Sequence, residues 1–178
     1  MNQESKNRDL SLLIHDLEPG QFEKQFPALE KEYLVISKDK PIRHCICCFD
    51  CFFKTPLECT IKDGYERLGV LFCGASRIVF ISRCVYGGFS PFVKNVLDRR
   101  IASNLPFYKV QRDGLVHHRP RTENQPRYFI HFYGDYTEAE RRTAEEWALA
   151  NDVTLNIPSH VIHFYKSAGE ITEKNLCE

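Results

Sequence analysis

Several absences bound this chain before any motif is read. No stretch approaches the roughly 20 apolar residues of a membrane span. The first nine residues are polar and lack an apolar signal core, so the chain reads as cytoplasmic. Lys and Arg total 24, and Asp and Glu total 24. With neither sign in excess, nothing global points to nucleic acid or to an anionic membrane. No internal repeat and no low-complexity tract is visible, which sets aside repeat architectures.

What the chain has in quantity is cysteine: eight among 178 residues. In a reducing compartment these are expected as thiols or ligands, not as a disulfide framework. Most of them form one run, Cys45-x2-Cys48-x2-Cys51-x7-Cys59, with Cys47 inside it. Apolar content of 43% and charged content of 27% are ordinary for a globular chain. The length suits a single domain over 1–178. Both tails, 1–9 and 166–178, are polar, and the second is expected to be loosely held.

The apolar pattern divides the chain into short strands and helices. Leu10 to Ile14, Tyr33 to Ile36, Tyr128 to Tyr133 and Val161 to Phe164 read as strands. Ile78 to Ile81 is continuously apolar, as a strand covered on both faces should be. Pro19 suits the first position of a helix carrying Phe22, Phe26 and Leu29. Asp63 is expected to cap a helix carrying Tyr65, Leu68, Leu71 and Phe72. Ser90 and Pro91 open a helix with Phe92, Val93, Val96, Leu97 and Ile101 on one face, and Lys94 faces Asp98 at i, i+4. Thr137-x-x-Glu140 is a capping box that starts a helix running to about Asn151, with Trp147 in its core. Lys38 to Lys62 and Ala102 to Arg127 read as long connections.

This alternation of strand and helix predicts an α/β fold with five parallel strands and helices on both faces. Ligands of such sheets bind beyond the carboxyl ends of the strands.

Two segments resemble the NADPH-dependent FMN reductase family of flavodoxin-like proteins. One runs from Cys48 to Pro56 and on through Cys59 to Asp63. The other joins Cys84-Val85-Tyr86-Gly87-Gly88 to Lys94, Asp98 and Arg99. The resemblance implies a flavodoxin-like sheet of order 2-1-3-4-5, with its switch point between the first and third strands, at the loops that start from His15 and Arg83. It implies FMN and a nicotinamide nucleotide as partners, a homodimer, and electron transfer from NAD(P)H to a small acceptor. It places Cys84, Val85, Tyr86, Gly87 and Gly88 at the flavin ring, with Tyr133, Gly134 and Asp135 next to them. No side chain is expected to act as acid or base, so no catalytic residue is named.

The family departs from this sequence after the first strand. Members carry a loop rich in small polar residues there, whose amides and helix N-terminus hold the FMN phosphate. This chain reads His15-Asp16-Leu17-Glu18-Pro19-Gly20. Asp16 and Glu18 would repel a dianion and could cap the helix themselves, and Pro19 removes a donor. The alternative function is therefore a non-enzymatic pseudo-flavodoxin that has lost FMN and partners a flavoprotein.

The cysteine spacing also matches the ligands of iron–sulfur flavoproteins. That likeness implies Cys45, Cys48, Cys51 and Cys59 as candidate ligands of a 4Fe-4S cluster, shielded by Phe49, Phe52 and Phe53. A structural loop with free thiols is the competing expectation, and zinc suits the spacing less well. Lys109, Arg112, Arg119, Arg121 and Arg127, with His117 and His118, make the second connection basic, against Asp113 and Glu123. It suits either a nucleotide phosphate or a solvated surface. His15, His131, His160 and His163 show no metal spacing, and His131 and His163 are expected as core or edge residues with their hydrogen bonds satisfied.

Overall fold

A computed structural model describes residues 10–110, 116–155 and 160–178. In chain order they form β1 (Leu10–His15), α1 (Gln21–Gln25), β2 (Leu34–Ile36), α2 (Asp50–Phe53), α3 (Leu68–Gly74), β3 (Ala75–Arg83) and α4 (Pro91–Arg99). Then follow β4 (Asn104–Val110), β5 (Val116–Pro120), β6 (Arg127–Tyr133), α5 (Glu138–Leu155) and β7 (His160–Tyr165). Five strands make one sheet in the order β2-β1-β3-β6-β7, and every pairing in it is parallel. With β4 and β5 outside the sheet, this is the expected 2-1-3-4-5 order. The fold is flavodoxin-like. No helix among the described residues is long and apolar enough to cross a membrane.

The period-2 alternation of strands assigns side chains to two cores. Leu12, Ile14, Ile78, Phe80, Ile130 and Phe132 face one side, where α3, α4 and α5 bring Phe72, Val93, Val96 and Ala144. Leu13, Val79, Ile81 and Phe129 face the other, against Phe22, Phe26 and Leu29. The run Ile78 to Ile81 is buried on both faces, as its composition requires. The Thr137–Glu140 capping box forms: the Glu140 amide donates to Thr137 Oγ1 at 3.2 Å, and the Thr137 amide donates to Glu140 Oε2 at 2.8 Å. Lys94 Nζ meets Asp98 at 2.6 Å across one turn of α4.

Several expectations are corrected. Neither Asp63 nor Ser90 caps a helix with its side chain. Asp63 lies ahead of α3, where its carboxylate takes a buried guanidinium, that of Arg99, at 2.5 Å and the Arg43 amide at 2.9 Å. A full charge is a stronger partner than an amide at a helix end, so the ion pair wins. Ser90 does sit at the cap position before Pro91, but its hydroxyl is buried without a partner, and its amide donates to Ser82 Oγ at 2.9 Å. The helix after Pro19 is only Gln21–Gln25, and Leu29 falls in a separate 3-10 turn. The cysteine connection contains the short helix α2.

The connection from 102 to 127 contains an antiparallel hairpin, β4 with β5. Arg112, Asp113 and Gly114 lie outside the described residues, as do the side chains of His117 and His118 and the tail at 1–9.

The stretch 166–178 is not a loose tail. Ala168, Ile171 and Leu176 are buried in the second core. Gln25 Nε2 donates to the carbonyls of Ala168 and Ile171 at 2.6 and 2.8 Å. Three apolar residues spaced through a polar segment are enough to bind it to the sheet when α1 is too short to cover that face.

His131 is wholly buried and satisfied. Its Nε2 donates to the Leu176 carbonyl at 3.2 Å, and Tyr165 Oη lies 3.3 Å from its Nδ1. His163 stacks on it at 5.4 Å, but its own Nε2 is buried without a partner, against expectation. Trp147 is half-buried and meets Phe89 edge-on at 5.1 Å.

Candidate functional site

The carboxyl ends of β1, β3 and β6 lie side by side, because β3 pairs with both neighbours up to its last residues. The ladder runs on past the strands. The Cys84 amide donates to the Tyr133 carbonyl at 2.9 Å, and the Gly134 amide to the Tyr165 carbonyl at 3.1 Å.

After β3 the chain turns at once. Val85 and Gly88 exchange two backbone hydrogen bonds of 2.9 Å, which leaves Tyr86 and Gly87 as a two-residue turn. Their φ angles are 51° and 76°, the left-handed pair of a type I′ hairpin. Gly87 is required for a second reason. A Cβ there would stand 2.7 Å from the Glu140 carbonyl oxygen and 2.7 Å from Thr143 Cβ, both on α5. The turn is therefore seated on the first turns of α5. Tyr86 is 89% exposed at its tip.

Of the residues expected at a flavin ring, Tyr86, Gly87 and Gly88 form this tip. Gly134 and Asp135 begin the adjacent loop after β6. Cys84 is buried, and burial pushes its thiol up in pKa. Tyr133 is half-buried and turned toward β1.

The loop after β1 is closed on itself. Asp16 is buried, and its carboxylate accepts the Tyr133 hydroxyl at 2.8 Å and the Arg83 amide at 3.0 Å. Burial first, then the Asp16 charge, holds the Tyr133 phenol protonated well above its ordinary range. The Asp16 amide donates to the Ile81 carbonyl at 3.2 Å, and the Leu17 amide to His15 Nδ1 at 3.2 Å. The Glu18 amide donates to Gln21 Oε1 at 3.3 Å, and the Gln21 amide to the Glu18 carbonyl at 2.9 Å. Neither Asp16 nor Glu18 caps α1, whose cap position is Gly20 with φ 75°. Glu18 instead pairs with Lys38 at 2.7 Å. His15 stacks on Phe22 at 4.5 Å, and burial pushes its imidazole down to about 4.

The cysteine loop lies beside α4. Cys45, Cys47, Cys48, Cys51 and Cys59 line one apolar cavity of about 30 Å³ together with Arg99. Phe49 also lines this cavity although it is half exposed, while Phe52 is buried beside Phe49 and Phe53 is exposed, both outside the cavity's lining. All eight cysteines are free thiols. Burial pushes Cys45 up and Cys51 up to about 11, with neighbouring thiols adding to the effect. Among the described residues, no three His, Cys, Asp or Glu side chains are placed to hold a metal ion.

Arg99 anchors this loop, a role that its place in the family resemblance did not indicate. Beyond Asp63, its Nη2 donates to the Ile61 carbonyl at 3.1 Å. Its Nε is buried without a partner. The one sequence signal was an Arg beside a strongly apolar helix face, which does not distinguish a buried guanidinium from an exposed one.

The described basic residues of the second connection play different parts. Arg121 is committed to structure, donating to the carbonyls of Ala102 at 3.0 Å and Phe52 at 3.2 Å. Arg127 lies over the Phe129 ring at 5.2 Å. Lys109, Arg119 and Glu123 are exposed. A groove of about 290 Å³, unanticipated from sequence, lies on the far side of β1 between β2 and the segment before α3, lined by Leu34, Ile36, Lys40, Tyr65 and Leu68.

Comparison with known proteins locates the fold. No family model matches the sequence, and no curated protein matches it. Solved structures do match. An azoreductase from Bacillus anthracis str. Sterne superposes with a TM-score of 0.54 at 12% identity, over 90% of this chain and 88% of its own. An FMN-dependent NADH-azoreductase from Bacillus anthracis str. Ames Ancestor, in complex with FMN, gives a TM-score of 0.53 at 12% identity. That match covers 94% of this chain and 92% of the other. At this identity the likeness is one of fold, and function rests on the site.

Proposed function

We propose that this chain is a flavin-dependent oxidoreductase of the NAD(P)H-dependent FMN reductase type, acting on a small electron acceptor. The observation that supports this best is the type I′ turn Val85–Gly88, seated on α5 beside the Gly134 loop at the switch point of a flavodoxin-like sheet. Both edges present backbone, and the turn presents an exposed phenol, so a flat ring could approach closely. The fold neighbours named as azoreductases agree with this reading.

A bound flavin would supply hydride acceptance and onward electron transfer. The chain's part would be to orient the ring. Tyr86, Gly87 and Gly88 would border it on one side, and Gly134 and Asp135 on the other. Val85 is tied into the turn and Cys84 lies beneath it, so these two support the platform.

The FMN phosphate does not fit the β1 loop. Asp16 occupies the strand ends with a negative charge, and the amides of Asp16, Leu17, Glu18 and Gln21 already have partners. No step is derived through a phosphate-anchored cofactor. The same observation favours a second reading, a non-enzymatic pseudo-flavodoxin that partners a flavoprotein. The four candidate cluster cysteines line a common cavity, but among the described residues no three ligand side chains are placed to hold a metal ion, so the loop enters this reading as structure.

The visible spectrum of the anaerobically purified chain, followed by titration with riboflavin and FMN, tests the proposal. Flavin bands or saturable uptake would support it. A colourless chain that takes up neither flavin would sink it and leave the second reading.

A further inference from the structure

Resting on the flavin reading above, we infer that this chain recognises a flavin by its ring and not by a 5′-phosphate. Riboflavin, whose side chain is neutral, would then be bound at least as well as FMN.

The inference comes from what fills the mouth of the sheet. A phosphate site at a strand end needs unused N–H groups and positive potential. The loop after β1 offers little of either. Pro19 has no N–H, and the amides of Asp16, Leu17, Glu18 and Gln21 are engaged within the loop or with β3. The Arg83 amide, the next donor along the mouth, is taken by Asp16 at 3.0 Å. The Tyr133 hydroxyl, a third donor, is taken by the same carboxylate at 2.8 Å.

The charges point the same way. A phosphate monoester carries about −1.5 to −2 at neutral pH. It would meet Asp16 within the mouth and Glu18 at its rim. Lys38 is the cation on this side, and Glu18 holds it at 2.7 Å. Arg83 brings one further guanidinium at the end of β3, exposed and within electrostatic reach of Glu18 and the Tyr133 hydroxyl. Admitting phosphate would require Asp16 to leave, breaking its bonds to β3 and β6 together. A neutral ribityl chain meets no such charge penalty.

Flavin fluorescence quenching on the full chain, with riboflavin and FMN at low and high salt, tests this. FMN is expected to bind equally well or up to about tenfold more weakly, with any gap narrowing as salt screens it. Glu18→Gln, an exposed change outside the core, should also narrow the gap. FMN binding clearly tighter than riboflavin would overturn the inference while leaving the flavin reading intact. Binding of neither flavin would overturn the flavin reading, and this inference with it.

Discussion

The Tyr133 hydroxyl donates to Asp16 at 2.8 Å, joining residues 117 positions apart in sequence. The bond crosses three strand ends, because the same carboxylate takes the Arg83 amide. Tyr133→Phe should destabilise the chain by about 1.5–3 kcal/mol, the range for hydrogen bonds to charged groups. Asp16→Asn, which keeps the shape and an acceptor oxygen, should cost less. Urea unfolding of the two variants checks the order.

Acid should weaken the fold before its carboxylates protonate. His15 and His131 are both pushed down to about 4 by burial. Their neutral forms are the folded ones, while the unfolded chain takes up protons below about 6.5. Between those values the unfolded state binds more protons, so stability falls as pH drops from 6.5 toward 4. The full contribution is present above 6.5 and is on the order of 3 kcal/mol per histidine. Urea midpoints across this window measure the slope, and removing His131 should reduce it by about half.

Asp63→Ala should be among the most damaging single changes. It leaves the wholly buried guanidinium of Arg99 without its counter-ion. Breaking such a pair costs about 3–5 kcal/mol. Arg99→Lys should not rescue the site, because an ammonium cannot reach Asp63 and the Ile61 carbonyl in the same fork. Thermal unfolding of both variants provides the test.

Two glycines with similar backbone angles should respond differently to alanine. Gly20 at φ 75° has open space around a built Cβ, so Gly20→Ala should cost only about 1–2 kcal/mol of backbone strain. Gly87 at φ 76° faces α5 at 2.7 Å, so Gly87→Ala must also displace helix backbone or lose the turn. Its unfolding midpoint should drop clearly further. Equal losses would mean that the turn is not seated on α5.

Leu176→Ala tests the C-terminal segment. Leu176 is buried, so truncation should cost about 2–5 kcal/mol, as for other core leucines. A loss within experimental error in urea would restore the picture of a loose tail.

The sheet was legible because its strands announce themselves by composition. Ile78 to Ile81 could only be covered on both faces, and the Thr137–Glu140 box marked the start of its helix to within a residue, though the helix runs to Leu155 and not to Asn151. What escaped were choices between competing partners. Asp63 reads as a helix cap until a buried arginine from a distant helix takes it. The residues around Lys109 and Arg119 alternate too weakly in polarity to reveal a hairpin. Ala168, Ile171 and Leu176 are too sparse to signal burial without the short α1 that leaves room for them. At the candidate site, the paired left-handed angles of Tyr86 and Gly87 emerge only in the structure. The acidic character of the first loop was plain. That Asp16 turns inward to hold β3 and β6, instead of facing solvent or capping α1, depends on Tyr133 and could not be read locally.

Asp16 acts as a ligand the chain carries for itself. It is tethered a residue beyond β1, so its effective concentration at the mouth is far above that of any anion in solution. A weak anion cannot displace it by mass action alone. Backbone amides at this end of the sheet, Arg83 above all, should then exchange with solvent as slowly as those inside the strands. The mouth of this fold is therefore part of its rigid frame, and whatever visits it meets a surface already set.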